Sequence, residues 1–205
     1  MIVLYSGTPG SGKSLNTARL IHERLNYNKK YPNVIANFKI NEKQIKNKNA
    51  RFMYYDNDDI TVELLAKYCK KYHKIGIENQ TLLVVDECSV KWNARNWGDK
   101  SRSLWIKFFQ QHRKLGFNIY LITQDDKNLD KQLRNLIEFD IIHRKINNDK
   151  LGKYFPISTF VAIKYWYGNN VKLGQEFFIY KKKWGTFYDS YGTFNIDETI
   201  SDLLS

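Results

Sequence analysis

Residues 7–14 read Gly-Thr-Pro-Gly-Ser-Gly-Lys-Ser, and residues 86–87 read Asp-Glu at the end of the apolar run Thr81 to Val85. The first segment fits the spacing in which a glycine, four further residues, then glycine, lysine and serine wrap a backbone around polyphosphate. Gly7, Gly10 and Gly12 let successive amide N–H groups turn inward, with Thr8, Pro9, Ser11 and Leu15 completing the loop and its exit. The positive end of a following helix adds to the field those donors make. Lys13 is then placed to bridge the outer phosphates, and Ser14 to ligate Mg²⁺ through its hydroxyl. An acid at the tip of a neighbouring buried strand holds the metal's water shell, the role that falls to Asp86. Glu87 follows directly and is positioned to orient or deprotonate an attacking water. The implied cofactors are ATP and Mg²⁺, and the acidic pair favours hydrolysis by water over transfer to a small acceptor.

Further residues extend this chemistry. Ile119 to Thr123 forms another apolar run, and Gln124 at its tip suits a contact with the γ-phosphate; the competing reading is an ordinary loop glutamine. Arg51, Arg113, Arg134 and Arg144 are candidates for a cation that stabilises transition-state charge from a neighbouring subunit, with Arg134 preferred because it follows Gln124 by ten residues. In the stretch Ser89 to Ser103, Lys91, Trp92, Arg95, Trp97 and Arg102 interleave cations with aromatic rings. That mixture suits single-stranded nucleic acid, where bases stack and phosphates are tracked, and equally suits tryptophans in a core or subunit interface. Lys181-Lys182-Lys183-Trp184 reads as a strand end facing solvent or anionic lipid head groups.

These side chains need elements to hold them. Residues 2–5 predict a short buried strand, and Leu15, Ala18, Leu20, Ile21 and Leu25 predict a helix over 13–28. Strands are expected at 34–38 and 52–55, then a helix over 60–73 capped by Asp58 or Asp59, and a central strand at 81–85. Ser101 or Ser103 is expected to cap a helix running to Leu115 and stopped by Gly116. A strand at 118–123, a helix near 129–136 and a strand at 138–144 follow. Strands alternating with helices imply a mostly parallel sheet. Beyond 150 the pattern turns to antiparallel β: strands at 158–167 and 175–181 around a turn at Gly168-Asn169-Asn170, with a third near 186–188. The fold class is therefore α/β, a P-loop core at 1–149 carrying an antiparallel β extension at 150–195 and a tail at 196–205.

The bulk properties agree. A chain of 205 residues with 42% hydrophobic and 15% aromatic content supports a sizeable core. A net charge of +12, from 33 basic and 21 acidic residues, favours anionic partners or simply a well-solvated surface. Two cysteines, Cys69 and Cys88, make no disulfide framework and sit in no metal spacing. No signal sequence is legible, and Tyr154 to Ile163, ten uncharged residues containing Pro156, falls short of the roughly 20 needed to span a bilayer.

His112-Arg113-Lys114-Leu115-Gly116-Phe117-Asn118-Ile119, the following Leu121-Ile122-Thr123-Gln124, then Leu129-Asp130-Lys131-Gln132-Leu133-Arg134 and the late Tyr188-Asp189-Ser190-Tyr191 together resemble the zonular occludens toxin family, which includes the assembly ATPases of filamentous phages. The resemblance runs from Gly7 to about Tyr191. It implies a P-loop core of the additional-strand type, related to DNA-pumping motors. It further implies ATP hydrolysis in an oligomeric ring, for which a hexamer is the expected count, and a role in assembling and extruding single-stranded DNA virions. The implied partners are that DNA or its coat and packaging proteins, and a membrane-bound assembly component. Members of the family continue into a transmembrane helix and an outer domain, where toxin activity has been placed. This sequence carries neither, so toxin activity is not expected; the expectation is a unit in the host cytoplasm whose anchor is removed or supplied by another chain. The alternatives are a nucleoside or polynucleotide kinase, which needs an acceptor lid, and an ATP-binding structural module with little turnover.

Overall fold

The computed structural model describes residues 1–93, 99–146, 157–169 and 171–188, with Asp99 and Lys100 in backbone only. One eight-stranded sheet organises them, in the order β3-β2-β4-β5-β1-β6-β7-β8. The strands are β1 (Ile2–Ser6), β2 (Asn33–Ala36), β3 (Arg51–Tyr54), β4 (Thr81–Val85), β5 (Phe117–Ile122), β6 (Phe139–Lys145), β7 (Thr159–Trp166) and β8 (Val171–Ile179). The first six are parallel; β7 and β8 add antiparallel to the β6 edge. The antiparallel extension is thus the far edge of the same sheet.

Among the described residues six α-helices accompany it: α1 (Lys13–Tyr27), α2 (Val62–Tyr72), α3 (Cys88–Lys91), α4 (Asp99–Gln111), α5 (Lys131–Arg134) and α6 (Lys182–Phe187). The period-two alternation of β1 shows why both faces need cover. Ile2 and Leu4 join one core layer, with Leu65, Tyr68 and Cys69 of α2 and Trp105, Phe108 and Phe109 of α4. Val3 and Tyr5 join the other, with Ala18, Ile21 and Leu25 of α1. A third cluster of Leu15, Phe160, Ala162 and Phe178 ties the hairpin β7–β8 to the start of α1.

Four local expectations change. The cap of α2 is Thr61, whose hydroxyl accepts from Leu64 N at 3.2 Å, because Asp56 to Ile60 is already spent in a turn that buries Ile60. Helix α4 begins at Asp99, so Ser101 and Ser103 lie inside it. The helix expected near 129–136 shortens to α5, capped by Asp130, whose carboxylate accepts from Gln132 N and Leu133 N at 2.8 and 3.3 Å. Residues 182–187 form α6 where a strand near 186–188 was expected. Phe187 is fully buried, edge-on to His22 of α1 at 5.1 Å, and this packing leaves only a single bridge, Ile40 to Tyr188, of the strand pairing.

Candidate nucleotide site

The glycine loop connects β1 to α1, and its conformation rests on backbone angles that favour glycine. Gly7, Gly10 and Gly12 all have positive φ, at 137°, 73° and 96°. Space is equally decisive. A Cβ at Gly7 would lie 2.5 Å from the His143 carbonyl oxygen, and one at Gly12 would lie 2.7 Å from the Phe160 ring. Gly12 is the N-terminal boundary of α1, so the helix amides open onto the loop. Ser11 Oγ is buried with no partner among the described protein atoms, and Ser14 lines the adjoining cavity. Lys13, 9% exposed, donates from Nζ to Gly7 O at 2.6 Å and Thr8 O at 3.1 Å. Burial lowers its pKa, and the negative charge of Asp86 opposes that shift. An open cradle of donors, an orphaned hydroxyl and a lysine within electrostatic reach of an acid fit a polyphosphate with its metal.

Asp86 leaves the tip of β4 under a two-point backbone clamp. Asn37, just past β2, donates from Nδ2 to Asp86 O at 2.9 Å and accepts from Asp86 N at 2.6 Å. Burial raises the Asp86 carboxyl to about 6, the neighbouring Glu87 charge adds to this, and the Glu87 N–H and Lys13 oppose it. Glu87 itself is exposed and held at φ 49°, a left-handed conformation that costs a non-glycine residue on the order of 1 kcal/mol. Strand β5 is inserted between β4 and β1, so Gln124, exposed two residues beyond it, emerges at the strand edge flanked by the acid strand and the loop strand.

The structure also supplies members that sequence reasoning passed over. His143 on β6 is 1% exposed. Its Nδ1–H donates to Ser6 O at 3.3 Å, and its Nε2 accepts from Asn16 Nδ2 at 2.9 Å, so it fastens the end of β1 to α1 beneath the loop. Burial drives its pKa down to about 4. A histidine held neutral in the folded chain binds fewer protons than in the unfolded chain. Its contribution is complete above pH 6.5 and is lost as pH falls toward 4, reaching about 3 kcal/mol at most. Thermal midpoints measured from pH 7 to pH 4 should therefore fall less steeply in His143→Gln than in the parent; equal slopes would remove His143 from the acid response. Asn37 carried a weak signal, a polar residue ending an apolar strand as Asp86 does. His143, Asn16 and Phe160 carried none.

Other expected site residues lie elsewhere. Arg134 lies on α5, whose Leu133 packs in the core layer of Ile2 and Leu4, and its charge acts on the Tyr167 hydroxyl, which donates to Asp126. Arg113 pairs with Glu138 and Arg51 lies over the Tyr72 ring at 3.8 Å, while Arg144 is exposed on β6. Trp92 is fully buried against Trp105 and Phe109, at 4.9 and 5.2 Å between centroids, and offers no face to a base. Lys91 donates to Asn57 O, and Arg102 pairs with Asp130 at 2.7 Å. Arg95 and Trp97 lie outside the described residues, as do Asp189, Ser190 and Tyr191.

The zonular occludens toxin (Zot) family model matches residues 1–191. The Gene 1 protein of Enterobacteria phage I2-2 is 42% identical over 62 residues, a segment that covers 30% of this chain and 17% of that protein. The chain thus matches less than a fifth of that relative's length. Among solved structures, the N-terminal domain of zonular occludens toxin from Neisseria meningitidis aligns over 92% of this chain and 98% of that one, with 21% identity and a TM-score of 0.57. The genome packaging NTPase B204 of Sulfolobus turreted icosahedral virus 2, solved with ATP-gammaS, aligns over 88% and 96%, with 19% identity and a TM-score of 0.52. Both likenesses are of fold. No helix among the described residues is long and apolar enough to cross a membrane.

Proposed function

Because the chain belongs to the zonular occludens toxin family, we propose that it is an ATP-hydrolysing motor unit for the assembly and extrusion of filamentous, single-stranded DNA phage particles. One observation carries the reading: a positive-φ glycine cradle holding Lys13, and Asp86 clamped by Asn37 at the tip of β4, lie within electrostatic reach across the inserted strand β5. Relatives bear phage names and a fold neighbour is titled a genome packaging NTPase, which supports a nucleic-acid motor over a metabolic kinase.

In this reading the loop amides and Lys13 orient the β- and γ-phosphates. Ser14 and Asp86 would hold Mg²⁺, which would supply charge neutralisation when bound. Glu87, free to swing at the exposed tip, takes the proton of the attacking water, and Gln124 orients that water or the γ-phosphate. The unit works as a ring, with six copies as the expected count. Arg134 acts on a neighbour's nucleotide. Residues 1–149 form the catalytic core and 150–195 the extension. The ring stands in the host cytoplasm at the inner membrane, with phage DNA, coat or packaging proteins and a membrane-bound component as partners.

The test is phosphate release from ATP with Mg²⁺, measured alongside solution mass with and without single-stranded DNA. We expect metal-dependent release that rises with assembly. Transfer of phosphate to a nucleoside or polynucleotide acceptor in place of water would overturn the hydrolytic reading.

A further inference from the structure

We propose that the β7–β8 hairpin and α6 form an aromatic seat for the base of the bound nucleotide, and that the seat recognises ring area, so that ATP and GTP are accepted nearly alike. The inference rests on the phosphate-loop reading and adds to it the ligand's other end.

A cavity of about 280 Å³ opens beside the loop. Gly10 to Leu15 line one side; Phe160, Tyr180, Gly185 and Tyr188 line the other. Two glycines admit two of the rings. Gly12 lets the Phe160 ring lie against the start of α1, and Gly185 lets Tyr180 lie against α6, where a Cβ would meet its hydroxyl oxygen at 2.2 Å. Phe160, 7% exposed, is held between Gly12 and Phe178, on which it stacks at 5.3 Å with 22° between planes, and so braces the wall; Tyr188 stacks on Phe38 at 4.9 Å with 17°. A preordered aromatic wall costs little further ordering when a ligand arrives. Tyr180 nonetheless remains 48% exposed, a large ring left open next to a phosphate cradle.

The lining chemistry decides what is read. Among the described lining residues there is no amide side chain, whose fixed donor and acceptor separate adenine from guanine, and no carboxylate, which accepts from the N–H edge that guanine alone presents. The polar groups are Lys13 and the hydroxyls of Ser11, Ser14, Tyr180 and Tyr188. A hydroxyl both donates and accepts, and so adapts to either base edge. What remains is stacking, which favours the larger purine ring over a pyrimidine.

Equilibrium binding of ATP, GTP, CTP and inorganic tripolyphosphate to the full chain tests this. Tyr180→Ala should weaken ATP and GTP about 10-fold, as expected for a lost base stack, and leave tripolyphosphate unchanged; Tyr180→Phe should bind like the parent. Gly185→Ala, in a helix that welcomes alanine, should weaken ATP likewise by pushing the Tyr180 ring aside. In the parent, ATP and GTP should agree within about threefold, with CTP weaker. ATP affinity unchanged in both Tyr180→Ala and Gly185→Ala overturns the seat, and a GTP affinity more than about 30-fold below that of ATP overturns its tolerance. A parent chain that binds neither ATP nor tripolyphosphate instead sinks the phosphate-loop reading beneath it.

Discussion

Lys13→Ala will reduce ATP hydrolysis at least 100-fold, to background, while leaving the fold intact. The size follows from what the ammonium does. Removing one preorganised donor from developing charge in a water-poor site costs about 10² to 10³ in rate. Lys13 is also the cation that the fold places inside the glycine cradle, with Asp86 as its electrostatic neighbour. The fold survives because the lysine gives its own chain little. Among the described residues its Nζ bonds the carbonyls of Gly7 and Thr8, and its burial disfavours the charged form. Removing it relieves that desolvation while forgoing two hydrogen bonds, terms of similar size. Phosphate release and the thermal midpoint, measured on the same sample, check both halves. A variant that turns over within tenfold of the parent would take Lys13 out of the phosphate site; a collapsed midpoint would make it a structural residue.

Glu87→Gln should separate binding from turnover. Glutamine keeps the size and shape of the side chain but cannot accept a proton. A general base of this kind contributes about 10² to 10⁴ in rate, so kcat should fall by that factor while ATP affinity stays within about threefold. The structure gives a reason to expect so clean a division. Glu87 is exposed, held at φ 49° immediately beyond the clamped Asp86, and donates its backbone N–H to the Asp86 carboxylate at 2.8 Å. That bond comes from the main chain and persists in the variant, so the Asp86 carboxylate keeps its orientation. Hydrolysis by Glu87→Gln at the parent rate would assign the base elsewhere, and lost affinity would mean that Glu87 positions the nucleotide.

The phosphate loop, the acid strand and the alternation of strands and helices were legible in the sequence because each depends on neighbours along the chain. Positive φ at Gly7, Gly10 and Gly12 is a local backbone demand, and a buried central strand such as Thr81 to Val85 needs an unbroken apolar run. Which side chains meet across the sheet is another kind of fact, set by the order β4-β5-β1-β6-β7-β8. That order put His143 beneath the loop and Phe160 against Gly12 from more than 120 residues away, and it let Asn37 of the β2 end grip Asp86. It also closed Trp92 into the core, although its spacing alone left that ring looking available. The amino-acid order by itself determined a glycine cradle around Lys13 and the acid at the tip of an apolar strand. Only the tertiary structure decided what supports the cradle and what walls its ligand, because contacts between distant strands follow from sheet order and packing, which no local spacing encodes.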